Sequence, residues 1–283
     1  MIVQAAWWGM GYAALLIATI TFGWSVARSH AATQAQHLAG TDRPLREAQA
    51  AGLTGQVLTA LSALALWVGL LSRAVKGHGW PLVTSADATS AISLLTLSIY
   101  LIWESLSRDR GTGFAVTSVS LVLLSYGLSQ QPLSMATATL ASKGVLLSTS
   151  LNLCAGSLLA LAATASLTRL LRNLRAQRTL EHRASSEGTG SDPSESLVRA
   201  ALLCLAVSLA IDTWWLQKVG LGGSNDAQQA GIAVVWMIYF VALRLRASAH
   251  WRGWPWTAIL AAGFFCTLPI LINVPWLGKT LPI

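Results

Sequence analysis

Apolar residues in this chain come in runs of about twenty, separated by short polar stretches, and the runs recur along its whole length. A run of that size is long enough to cross a bilayer as a helix. Eight runs are legible: Trp7–Ala27, Gly52–Ser72, Ala86–Leu106, Gly113–Leu128, Lys143–Leu167, Leu197–Leu216, Gln229–Leu245 and Trp256–Trp276. The expected fold is therefore all-α: a polytopic membrane bundle of about eight transmembrane helices, forming one transmembrane domain over residues 1–283.

The polar stretches between the runs carry their own signals. Arg28–Ala51 is polar, with His30, His37 and a charged run at residues 42–47. Thr84 with Asp87 three residues on has the spacing of a helix-capping box. Beyond Leu167 the fifth run continues as a basic amphipathic stretch, with Arg169, Arg172, Arg175 and Arg178 at intervals of three. Residues 173–196 read as a cytoplasmic helix extension followed by a linker. Its Ala184–Ser196 portion is rich in Ser, Gly and acidic residues and is expected to be mobile. Residues 217–228 read as an extracytoplasmic loop between the sixth and seventh runs.

Composition agrees with this picture. The chain of 283 residues is 54% hydrophobic and only 11% charged, where a soluble domain averages about a quarter charged. The net charge of +8 does not point to nucleic acid, because the basic residues gather at run ends and in short connections. If the connections are assigned alternately to two sides, 14 of the 19 basic residues fall on one side, and all of these are arginine. The positive-inside rule makes that side cytoplasmic and places both termini outside, in a bacterial cytoplasmic (inner) membrane. Cys154, Cys204 and Cys266 all lie inside apolar runs, with no C-x-x-C pair and no C-x-x-C-H haem attachment. They read as small buried apolar residues.

Motifs of hydrolases, kinases and dinucleotide-binding enzymes are absent, which argues against an ordinary catalytic domain. Of the embedded acids, Asp212 lies about one turn inside the end of the sixth run. It is placed to accept a proton, to pair with a cation or to pair with Lys218. Asp87 is explained by the capping box, and Glu104 is expected to pair with Arg108 four residues on. The arginine run at 169–178 suits anionic lipid headgroups or an acidic partner subunit. Most of the 13 tryptophans lie near run ends, as in an interfacial aromatic belt. His250, among Trp251, Trp254 and Trp256, reads as an interface anchor.

Two segments carry a family resemblance: Val234-Val235-Trp236-Met237-Ile238-Tyr239 leading into Arg244 and Arg246, and Gly77-His78-Gly79-Trp80-Pro81-Leu82. With eight spans, they resemble the haem-handling membrane proteins of cytochrome c assembly, the CcsA (ResC) type. In that family a tryptophan-rich outer loop ends in a Trp-Asp-Pro-Lys-Glu-type sequence that faces the haem. Here the matching segment is Asn225-Asp226-Ala227-Gln228-Gln229, in which only Asp226 survives. The family's haem-ligand histidines align near Leu146-Leu147, on Arg244 and in the tail 277–283, and none of these positions is histidine. His78 matches a position that often holds histidine in the family, and Trp214 matches a family tryptophan. The resemblance thus marks His78, Trp80, Trp214 and Asp226 as the remnant of a haem pocket, with no catalytic residue and no metal site.

Three functions follow from these readings. Scaffold kept and ligands lost predicts a haem-free structural or accessory subunit of a respiratory or photosynthetic electron-transfer complex, with other integral membrane subunits and lipids as partners. The family activity, if retained, predicts a biogenesis factor that exports haem and presents it to apocytochrome c. That factor would act with a ResB-like protein as part of a haem lyase system, and haem would be its cofactor. A transporter is the third reading, weakened by how few charges are embedded and by the absence of paired broken helices.

Overall fold

The computed structural model describes residues 2–39, 43–76, 85–107, 112–129, 143–179, 193–219, 226–246, 251 and 253–272. Side chains are described within 6–29, 49–72, 87–105, 112–129, 147–174, 194–214, 229–246 and 253–270, and at 75 and 251. These residues form eight helices: α1 (Ile2–Ala39), α2 (Arg43–Lys76), α3 (Ser85–Ser107), α4 (Gly113–Ser129), α5 (Lys143–Thr179), α6 (Pro193–Val219), α7 (Asp226–Arg246) and α8 (Trp254–Ile272). No strand occurs among the described residues. The protein is an all-helical, polytopic membrane protein.

Six of the helices are long and apolar enough to cross a membrane: α1, α2, α3, α5, α6 and α7. The apolar stretches of α4 (Gly113–Ser129) and α8 (Trp254–Ile270) are shorter, at 17 residues or fewer. At a rise of about 1.5 Å per residue, the 17 residues of α4 reach about 25 Å, short of a hydrocarbon core of about 30 Å. Helix α8 also holds Pro269 in its interior. Proline has no N–H to give to the carbonyl four residues back. Two residues before it, the Thr267 hydroxyl donates to the carbonyl of Gly263 at 2.6 Å.

Several helices overrun the hydrophobic runs that predict them. The polar stretch after the first run is helical on both sides of residues 40–42, in α1 to Ala39 and in α2 from Arg43. It is rich in Ala, Gln and Leu, which favour helix once water or headgroups replace lipid. The amphipathic extension at 168–179 is continuous with α5. Residues 193–196, expected to be part of a mobile linker, instead form the first turn of α6, with Pro193 in the position where a missing N–H costs nothing.

The chain packs as two compact units, residues 1–81 with 89–129 and residues 82–88 with 130–283. In the first unit α1 packs on α2 and α4. Trp8 and Leu15 of α1, Ala63, Leu66 and Leu70 of α2, Leu94 and Leu97 of α3, and Leu124 of α4 build one apolar core. Hydroxyls then stitch the helices together. Ser62 donates to the carbonyl of Gly11 at 2.8 Å, and Ser93 donates to the carbonyl of Ser120 at 2.8 Å. Within lipid the hydrophobic effect does not drive helices together, so close packing and such polar links carry association. Buried Glu104 on α3 accepts from the Gln56 amide on α2 at 2.5 Å. Its expected partner, Arg108, lies outside the described residues.

In the second unit α5 packs on α6 and α8, α6 on α7, and α7 on α8. Tyr239 of α7 is buried and donates to the carbonyl of Leu260 on α8 at 3.4 Å. A Cβ at position 263 would sit 2.7 Å from the Tyr239 hydroxyl, so glycine is what lets α7 and α8 approach. Cys154 and Cys204, distant in sequence, meet across α5 and α6 as free thiols.

Candidate functional site: two polar ends of one helix group

Two clusters of polar side chains link the helices of the second unit. At the first, α5, α6, α7 and α8 converge. Ser166 of α5 bonds Thr257 of α8 through their hydroxyls at 2.8 Å. Arg246, in the last turn of α7, lies 4.3 Å over the ring of Trp256 and makes an ion pair with Glu195 at 3.3 Å. Its guanidinium also donates to the Ser194 hydroxyl at 3.5 Å, and the Trp256 indole N–H donates to the same hydroxyl at 3.0 Å. Arg199, one turn along α6, completes the cluster by pairing with Glu195. The Arg246 side chain is only 12% exposed. A charge held that far from water must be compensated, and here a carboxylate, a hydroxyl and an aromatic face do so together. The chain delivers these groups through local rules. A carboxylate in the first turn of α6 and arginines in the last turn of α7 each complement the helix dipole. Gly253, at φ +82°, turns the chain into α8, and its carbonyl accepts from the Thr257 N–H at 3.1 Å.

At the other end lies a ladder of small polar groups between α5 and α6. The Ser148 and Ser208 hydroxyls bond at 2.8 Å, and Ser208 also reaches the Ser148 carbonyl at 3.2 Å. The Asp212 carboxylate lies close to the Ser148 side chain. Ser148 and Asn152 are four residues apart on α5, as Ser208 and Asp212 are on α6, so each pair shares one helix face. Ser148, Ser208 and Asn152 are all buried, and the Asn152 Oδ1 has no hydrogen-bond partner. Asp212 is half-buried, in the last third of α6.

The sequence-predicted residues divide accordingly. Trp214 is on α6, two residues after Asp212, and 57% exposed. Asp226, expected within a loop, is the first residue of α7, because the helix begins earlier than its apolar run; its side chain is outside the described residues. His78 and Trp80 are also outside them. Arg169 and Arg172 are exposed near the end of the α5 span, while Arg175 and Arg178 lie in the helix with side chains not described. Exposed Leu167, Leu171 and Leu174 are interleaved with them, giving an apolar and basic surface. Sequence reasoning missed Ser148, Asn152, Ser208, Glu195 and the Arg246–Trp256 stack. Only the four-residue spacing of the polar pairs in 148–152 and 208–212 could have signalled the ladder.

Haem ligation can be tested at the two aligned positions that fall on described residues. Leu147 is 54% exposed and has no donor atom. Arg244 packs 5.4 Å from the ring of Phe240 and carries no lone pair for iron. Neither residue fits an axial ligand. No group of three or more His, Cys, Asp or Glu side chains suited to a metal ion occurs among the described residues. No family model, no curated protein and no solved structure matches this chain.

Proposed function

We propose that this protein is a CcsA-like scaffold retained as a haem-free structural or accessory subunit of a membrane electron-transfer complex, respiratory or photosynthetic, in the bacterial cytoplasmic membrane. The observation that carries the reading is a division of labour on α7. Trp236 and Tyr239, which bear the family resemblance, hold helices together. The Trp236 indole N–H donates to the carbonyl of Leu202 on α6 at 3.2 Å, its ring stacks on Phe240 at 5.1 Å, and Tyr239 locks α7 to α8. Arg244, one turn on, stands where the family places a ligand and cannot bind iron. Packing residues are kept and ligand residues are not, as expected of a scaffold reused without its cofactor. Exposed apolar side chains on α1, α2, α6 and α7 supply faces for lipid and for neighbouring membrane subunits. The arginine-rich ends are cytoplasmic in this reading, and Arg169, Arg172, Arg175 and Arg178 meet anionic headgroups or an acidic subunit there.

The test is a pyridine haemochrome spectrum of the chain purified in mild detergent, with mass spectrometry of what co-purifies. The expected result is no haem band and a stoichiometric set of other integral membrane subunits. A stoichiometric haem band that His78→Ala abolishes would overturn this reading in favour of the biogenesis factor.

A further inference from the structure

We infer that the end of the second unit where α5, α6, α7 and α8 converge is a docking surface for anionic phospholipid, whose phosphates meet the guanidinium groups of Arg169, Arg172, Arg199 and Arg244. All four side chains are exposed. They come from three helices, and the polar cluster around Arg246 holds those helices together. Ser166, one turn before Arg169, bonds Thr257 of α8, while Arg199 and Arg246, two residues after Arg244, both pair with Glu195. The spans Leu147–Leu174, Ser194–Trp214 and Gln229–Arg246 each have one terminus here, so the arginines lie where acyl chains give way to headgroups.

Charge and shape both select this partner. Segments 168–200 and 244–253 hold nine arginines and four acids, an excess of five positive charges even with every acid paired. Guanidinium forks match phosphate oxygens two at a time, and basic surfaces at a membrane end attract anionic headgroups. The apolar part of the surface separates a lipid from other anions. Every side chain from 171 to 174 is exposed, so α5 stands clear of its neighbours there. Leu167, Leu171 and Leu174 share one exposed face, and Arg169 and Arg172 lie on the opposite one. Trp254, the first residue of α8, adds an exposed amphipathic ring. Free phosphate or an acidic peptide would answer the arginines and leave the leucines in water. A phospholipid answers both, with its phosphate and its acyl chains. The inference rests on the reading above in placing this end at a bilayer surface, and it deepens that reading by choosing the lipid over an acidic subunit. The haemochrome spectrum tests the haem-free role separately, so either can fail while the other stands.

The experiment is thermal melting of the purified full chain, followed by tryptophan fluorescence, in neutral-detergent micelles doped with phosphatidylglycerol or with phosphatidylcholine. A saturable rise in Tm of about 3 °C or more is expected with phosphatidylglycerol and not with phosphatidylcholine. The triple variant Arg169→Gln, Arg172→Gln, Arg244→Gln should lose it. A variant with three charges removed elsewhere, Lys143→Gln, Lys218→Gln, Lys279→Gln, should keep it. Native mass spectrometry of the wild-type chain, expected to show retained phosphatidylglycerol, reads the same surface should the arginine variant fail to fold. No rise and no retained lipid would overturn the inference, because it would mean that the acids of 180–192 or an acidic subunit answer the arginines. An equal rise from inorganic phosphate would overturn it too, as would a response lost alike in both variants.

Discussion

The two polar ends of the second unit solve one problem in opposite ways. At the arginine end, the buried guanidinium of Arg246 is fully answered from within the chain, by Glu195, the Ser194 hydroxyl and the face of Trp256. At the ladder end, Asp212 lies close to the Ser148 side chain, and Asn152 keeps an unanswered acceptor one turn further along α5. The lesson concerns completeness. A compensated charge in a membrane helix group acts as a clamp, and its removal should simply loosen the fold. A carboxylate that meets only neutral side chains among the described residues is no such clamp, and its removal should have little structural cost.

The comparison can be broken or sharpened by mutation. The largest effect is expected from Arg246→Ala, which takes one of its two arginines from Glu195 and strips the face of Trp256. A loss of about 2 kcal/mol, read as a clear fall in melting temperature in detergent, would establish the clamp. Ser208→Ala should cost about 1 kcal/mol by removing the bond to Ser148 while leaving the carboxylate in place. Asp212→Asn should leave stability unchanged or raise it by up to about 1 kcal/mol, the opposite sign to Arg246→Ala. A large loss there would show that Asp212 is a structural partner like Arg246 and would erase the contrast. The smallest effect is expected from Arg199→Ala. Its side chain is 68% exposed, so the pair with Glu195 should be worth no more than about 0.5 kcal/mol. An effect as large as that of Arg246→Ala would mean that the clamp is one coupled network.

How legible these ends were in the sequence differs sharply. Asp212 stood out because an acid inside an apolar run is rare whatever surrounds it. The arginines at 244 and 246 were legible as membrane-end charges, but not as a clamp. Glu195 lay in a stretch whose Ser, Gly and acidic composition reads as a mobile linker, and the stacking of Arg246 on Trp256 joins helices that only the fold brings together. The serines and Asn152 gave almost no signal, since Ser and Asn scattered through apolar helices are ordinary. Asp226 was misplaced for a related reason. Hydropathy reports where lipid contact ends, and a helix ends where its backbone hydrogen bonds do.

By itself the sequence determined that this is an all-helical membrane protein with helices near the expected positions, because a run of about twenty apolar residues in lipid has no alternative to helix. It determined too that the basic residues collect at helix ends, since charge is costly anywhere deeper. Tertiary structure alone decided how the buried polar groups are answered. That depends on faces of helices meeting in space: Ser148 against Ser208, Arg246 over Trp256, Gly263 beneath Tyr239. Helix formation is a local property of the chain. Compensation of a buried group is a property of the neighbours that packing delivers, and no local pattern encodes it.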